Sequence, residues 1–226
     1  MSVFLLGSTG LVGSFILQNA VESSAISSII TLSRSQPKAK SEKLHAILES
    51  NTDNWPQQIQ NNATKGSTFV SSFGTTRAKA GGIENFKKID HGVNFAAAKA
   101  AKSAGTDTFI LISSMGASSS SMLPYLKSKG QLEDDIIALK FPRVIIIRPG
   151  ALIGERSENH GLANDMFQWV ASKVYGTPLS FLTYGVYARD IGKIVVDLVN
   201  TPIKSDNEVR IIGPGELISM AKALPK

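Results

Sequence analysis

A chain of 226 residues is long enough for one sizeable α/β domain and too short for two comfortable ones. Its 42% hydrophobic and 19% charged residues describe a soluble chain with a core, and the absence of cysteine excludes disulfides, thiolate metal sites and a cysteine nucleophile. The formal net charge of +6 is spread thinly, with mild concentrations at 34–43 and 77–88 and no basic run interleaved with aromatics. A nucleic-acid partner is therefore not expected, while an acidic small ligand or an anionic membrane surface accounts for the excess.

The first apolar run, Val3–Leu6, reads as a buried strand. "GSTGLVG" (Gly7 to Gly13) follows directly, and a helical pattern occupies 11–23. Glycines at steps of three between a strand and a helix suit a phosphate cradle. Gly7 permits a tight turn, Gly10 lets the backbone approach a pyrophosphate, and Gly13 lets the helix pack close to the sheet. The plainer alternative is a turn whose glycines serve packing alone. A cleaved leader is not expected, because the apolar stretch lacks a basic flank and is broken by glycines.

A second strand at 29–33 ends in Ser33, Arg34 and Ser35. Specificity for the adenosine ribose is read about 20 residues past the glycines, where a carboxylate would select NAD. Arg34 stands there instead, and a guanidinium with hydroxyl neighbours suits a 2′-phosphate. NADP(H) is therefore favoured over NAD(H). Lys38 and Lys40 add positive field.

Further strands are expected at 44–48, 68–71, 108–113, 144–148 and 209–212, and helices at 84–103, 123–139, 190–200 and after Pro214. The polar stretch 50–66 reads as a loop with a partial helix, and 116–124 as a serine-rich loop. Alternating strands and helices give an α/β, doubly wound parallel sheet in a single domain over 1–226. An irregular segment at about 155–182, holding Phe167, Trp169, Tyr175 and Phe181, falls where a substrate-covering insertion belongs. Asp190 reads as a helix N-cap.

"PYLKSKGQLEDD" places Tyr125 and Lys129 four residues apart on one helix face. A nearby ammonium favours a phenolate, so the phenol can exchange a proton with a substrate oxygen. Upstream, "ILISS" ends a strand in Ser113 and Ser114. A serine at the carboxyl edge of the sheet can hydrogen-bond a reacting carbonyl; Ser114 is favoured, with Ser113 the alternative. His45, His91 and His160 lack paired ligand spacing, and no metal site is read. Arg148 and Arg156 suit either an acidic substrate group or loop-shaping ion pairs.

Through "GSTGLVG", "SSMGA" and "YLKSK" the chain resembles the short-chain dehydrogenase/reductase superfamily along nearly its whole length. Through "TTRAKAGG", "KIDHGVN", "YLKSKGQLE" and "IIIRPGALIGER" it is similar to an atypical subgroup that includes the human Tat-interacting oxidoreductase-like protein and fungal relatives found in mitochondrial proteomes. That resemblance implies cofactor contacts from Gly7, Ser8, Thr9, Gly10, Leu11, Val12, Gly13 and Arg34. It adds Phe73, Gly74, Thr75 and Thr76, then Pro149, Gly150, Ala151 and Leu152, with Tyr125 and Lys129 touching the nicotinamide ribose. It places Asn94 beside the catalytic lysine, where a proton relay or plain helix packing would hold it. The Asn-Asn-Ala-Gly usual after the fourth strand is replaced by "SFGTT".

The expected function is NADPH-dependent hydride transfer to a carbonyl or related acceptor, with Tyr125, Lys129, Ser114 and Asn94 at the chemistry. The rival is an NADPH-responsive regulatory protein with little turnover. The expected partners are a small-molecule substrate, a protein, a peripheral membrane surface and a second copy in a homodimer. The resemblance locates the chain on the cytosolic face of the mitochondrial outer membrane.

Overall fold

The computed structural model describes residues 1–75, 80–154 and 184–225. In chain order these form β1 (Ser2–Leu6), α1 (Leu11–Glu22), β2 (Ser28–Ser33), β3 (Leu44–Leu48), α2 (Trp55–Asn62) and β4 (Thr68–Ser71). Next come α3 (Ile83–Lys87), a π-helical turn (Lys88–Val93), α4 (Asn94–Ser103), β5 (Thr108–Ile112), α5 (Pro124–Ala138) and β6 (Arg143–Ile147). The short β7 (Leu152–Ile153) and β8 (Val186–Tyr187) precede α6 (Ala188–Asn200), β9 (Glu208–Ile212) and α7 (Pro214–Ala223).

Seven strands make one sheet in the order β3-β2-β1-β4-β5-β6-β9, and every neighbouring pair is parallel. The order reverses between β1 and β4, so the carboxyl ends of these two strands open the crevice where ligands bind in such sheets. The strands Val3–Leu6, Thr108–Ile112 and Arg143–Ile147 are buried on both faces, as strands covered by helices must be. Successive residues alternate between two cores. Val3, Leu5, Val70, Ile110 and Ile145 pack with Ile16 and Leu17 of α1 and Ile191 and Val195 of α6. Phe4, Leu6, Phe69, Phe109 and Leu111 pack with Trp55 of α2, Ala97 of α4, and Leu132 and Ile136 of α5. In the second core the rings of Phe4, Phe69 and Phe109 stack across three strands at 5.1 and 5.2 Å.

The doubly wound sheet agrees with the sequence reading, and three local features refine it. The stretch 50–66 contains a real helix, α2, which buries only Trp55 and Ile59. The single helix expected over 84–103 is broken by the π turn. Asp190 is not the cap of α6: that position is Tyr187, and Asp190 lies inside the first turn. Of the expected features, the segment 155–182, with Arg156 and His160, lies outside the described residues, as does Thr76. No helix among the described residues is long and apolar enough to cross a membrane.

Candidate active site

The glycine loop joins β1 to α1 at the carboxyl edge of the sheet. Gly7 stands at φ +88°, a backbone conformation that favours glycine. A methyl group there would meet the Phe73 nitrogen at 2.7 Å and the Ser72 carbonyl oxygen at 2.8 Å, so β1 and β4 leave no room for one. At Gly13 a Cβ would lie 2.0 Å from the Gly7 carbonyl oxygen and 2.5 Å from Ser72 Oγ. Gly13 thus allows α1 to start directly against the loop. Gly10 is different: its added Cβ would meet only the Gly7 carbonyl oxygen, at 3.3 Å, and the residue is exposed. Gly10 caps α1, and among the described residues no side-chain cap hydrogen bond satisfies the first amides of that helix. The Ser8 hydroxyl is buried and finds no hydrogen-bond partner among the described residues. Orphan amides, an orphan hydroxyl and a backbone shaped by glycine fit a dinucleotide phosphate.

Around this loop the other expected contacts fall along the same edge. Thr9 is exposed, Leu11 and Leu152 each pack against the first core, and Val12 is buried in it. Arg34 is exposed just past β2, while the Ser33 hydroxyl turns back to donate to the Ser35 carbonyl at 2.8 Å. Phe73 follows β4, its ring edge-on to Trp55 at 5.1 Å. Pro149 and Ala151 are buried and follow β6. The Pro149 carbonyl accepts from the Met115 amide at 2.9 Å, and the Ala151 carbonyl from the Val186 amide at 2.9 Å. Gly150 is half-buried between them.

Lys129 is buried on α5, and its ammonium lies 3.1 and 3.0 Å from the two carboxylate oxygens of Asp90. Burial by itself drives a lysine toward its neutral form. Asp90, then Tyr125 and Glu133, outweigh that and hold the Lys129 pKa above the ordinary lysine value. Asn94, fully buried, sits one turn beyond Asp90. It accepts from Ser71 Oγ at 2.5 Å and donates to the Asp90 carbonyl at 2.7 Å and the Phe73 carbonyl at 3.2 Å. The Thr75 amide points at Asp90 Oδ1 from 3.4 Å. Lys129 and Asn94, which the family resemblance puts near each other, therefore share one buried cluster with Asp90 between them.

Tyr125 stands one turn before Lys129, 43% exposed, its ring 5.6 Å from Phe86. The phenol is open to solvent while the lysine below it on the helix is buried. The two serines after β5 divide cleanly. Ser113 is buried and its hydroxyl donates to Glu133. Ser114 is only half-buried, and its hydroxyl has a long 3.4 Å contact to the Met115 carbonyl. Glu133, 1% exposed, also receives Arg148 Nε at 3.1 Å on each oxygen, and the Arg148 Nη2 contact closes the pair. That hydrogen bonding raises the Arg148 pKa further. Of the two uses open to Arg148, the structure has it in the ion pair.

Sequence reading passed over Asp90 and Glu133. Asp90 lies in "KIDHGVN" four residues before Asn94, a helical spacing that could have drawn attention to it. Glu133 lies four residues after Lys129, on the face that Tyr125 begins. His91, read as isolated, contacts Asp135 through Nε2 at 2.7 Å. No group of three or more His, Asp or Glu among the described residues is arranged to hold a metal.

Comparison with known proteins places the site in context. Residues 7–178 match the model of a family described as NAD(P)H-binding. The chain is 49% identical over 226 residues to "Protein FMP52, mitochondrial" of Debaryomyces hansenii, covering 99% of this chain and 100% of that one. It is 46% identical to the protein of the same name in Candida albicans, with 99% and 100% covered. Among solved structures it is similar to a UDP-glucuronic acid 4-epimerase from Bacillus cereus, crystallised with UDP-glucuronic acid and NAD (TM-score 0.68, 16% identity, 94% of this chain and 77% of that one). It is also similar to a short chain dehydrogenase family protein from Francisella tularensis (TM-score 0.67, 13% identity, 95% and 98% covered).

Proposed function

Because this chain belongs to the NAD(P)H-binding family, and within it to the FMP52 proteins, we propose that it is an NADPH-dependent oxidoreductase of the atypical short-chain dehydrogenase type. Its acceptor is a carbonyl or related group on a small molecule. The observation that carries the reading is the conjunction of a glycine cradle at β1–α1 with a buried Lys129 one turn below an exposed Tyr125.

When bound, the nicotinamide supplies the hydride. The loop from Gly7 to Gly13 binds the pyrophosphate through backbone amides and the Ser8 hydroxyl. Arg34 reads the 2′-phosphate from the end of β2. Phe73, Gly74 and Thr75, with Pro149 to Leu152, line the nucleotide on either side. Lys129 donates to the ribose and lends its positive charge to Tyr125. Tyr125 gives its phenolic proton to the substrate oxygen as the carbonyl is reduced. Ser114, whose hydroxyl the protein leaves nearly uncommitted, holds that oxygen in preference to Ser113, whose hydroxyl donates to Glu133. Asn94 holds the loop after β4 against the π turn, beside the lysine that the phenol depends on.

The relatives carry "mitochondrial" in their names, which supports a mitochondrial location. The fuller reading is a peripheral protein of the cytosolic face of the outer membrane, attached through its excess of positive charge. Loss of the protein from isolated mitochondria on protease treatment, without lysis, tests it; protection sinks it. A homodimer and a protein partner belong to the same reading, and sedimentation with and without NADPH checks both.

The deciding experiment titrates the purified chain with NADPH and NADH by calorimetry, then screens aliphatic and aromatic carbonyls for NADPH oxidation. Tighter binding of NADPH with turnover supports the proposal. Binding without turnover on any carbonyl favours an NADPH-responsive regulatory protein instead.

A further inference from the structure

One buried charge has no part in the reaction just described. Asp90 is 1% exposed, and a carboxylate so placed is costly unless it is paired. Its partner comes from another element: Lys129, 39 positions along the chain. The backbone around it is equally committed. Asn94 ties the Asp90 carbonyl to the Phe73 carbonyl, and the Thr75 amide approaches the carboxylate itself. The π turn delivers the side chain, since a widened turn re-aims residues that a regular helix would point elsewhere. The next residue, His91, contacts Asp135, so the turn is tied to α5 at two points. Gly74 closes the arrangement. A Cβ there would lie 2.9 Å from Asp90 Oδ1 and 3.7 Å from Lys129 Nζ, so the loop after β4 passes directly over the ion pair.

We propose that Asp90 is a positioning residue: carried inward by the π turn, it fixes the Lys129 ammonium at the floor of the nucleotide site. The lysine's hold on the dinucleotide then depends on a carboxylate that never reaches substrate. The inference rests on the dinucleotide-binding reading above, though not on any particular acceptor. Its support is geometric. The ammonium donates to Oδ1 at 3.1 Å and lies 3.0 Å from Oδ2, which has no hydrogen-bond partner among the described residues, and the Thr75 amide approaches the same carboxylate from the loop that is to receive the nucleotide.

The test is a double-mutant cycle read by NADPH calorimetry on the full chain: native, Asp90→Asn, Lys129→Met and the double variant. Each single variant should bind about tenfold more weakly, and the double no more weakly than Lys129→Met alone, because Asp90 acts only through the lysine. Losses that add, or native affinity in Asp90→Asn, would overturn the proposal. Where Asp90→Asn alone does not fold, the double variant against Lys129→Met makes the same decision. A pH series separates positioning from mere packing. Lys129 is faced by Asp90 from the π turn and by Tyr125 and Glu133 from its own helix. Without the carboxylate, burial strips the ammonium of its proton at lower pH, so NADPH affinity in Asp90→Asn should fall as the pH is raised through a range in which the native affinity holds. Parallel pH profiles would count against positioning. A cycle that couples as expected in a protein that turns over no carbonyl would leave Asp90 in its role and remove the oxidoreductase reading. Additive losses in an active enzyme would do the reverse.

Discussion

Replacing Gly10 and Gly13 separately by alanine distinguishes a phosphate cradle from a packing turn. At Gly13 the new methyl would fall 2.0 Å from the Gly7 carbonyl oxygen and 2.5 Å from Ser72 Oγ, against ordinary contacts above 3.4 Å. Neither the loop nor the helix can give that much without moving. Overpacking of this kind costs about 3 kcal/mol, and the better helix propensity of alanine returns about 1 kcal/mol. The net loss of about 2 kcal/mol lowers the melting temperature by roughly 4–8 °C in a domain of this size. At Gly10 the methyl meets one atom at 3.3 Å, in a cap position with extended backbone. Its cost to the fold stays within about 1 kcal/mol. The methyl would nevertheless stand where the pyrophosphate approaches, so Gly10→Ala should weaken NADPH at least about tenfold, or 1.4 kcal/mol, with the melting temperature nearly kept. Calorimetric titration and differential scanning calorimetry read the two quantities. Native NADPH affinity in Gly10→Ala, beside a destabilised Gly13→Ala, would mean that these glycines only turn the chain.

Tyr125→Phe should cut carbonyl reduction by about 10²-fold or more while the NADPH dissociation constant stays within about twofold, since only the proton donor is removed; unchanged turnover would dismiss Tyr125 as the acid. Arg34→Ala should weaken NADPH by about tenfold and leave NADH alone, the loss of one charge-assisted contact to the 2′-phosphate; equal losses for both dinucleotides would deny Arg34 that role. Glu133→Gln should destabilise the chain by about 2 kcal/mol in urea unfolding, because Arg148 and the Ser113 hydroxyl lose a charged acceptor. A neutral result there would show that the pair contributes nothing net.

The location of the crevice follows from local signals. Each sheet strand is a short apolar run bounded by turn residues, and the glycines stand directly after the first of them. Helix α2 was less legible, because its window is rich in Asn and Gln and only Trp55 and Ile59 reach the core. The π turn was not legible at all. Nothing in "KIDHGVN" departs from a regular helical pattern strongly enough to announce a widened turn.

Sequence alone was sufficient for the doubly wound sheet, the glycine loop at its edge, and Tyr125 one turn above Lys129. All of these depend on residues within a few positions of each other, where periodicity and backbone freedom are decisive. Tertiary structure decided the partners. Asp90 finds Lys129, Glu133 gathers Arg148 and Ser113, and Ser114 is left with only a long contact to the Met115 carbonyl. Those pairings join different elements, and a buried charge must be matched by whatever the fold sets within about 3 Å of it. That distance is fixed by how helices cross the sheet, which no local stretch of the chain encodes.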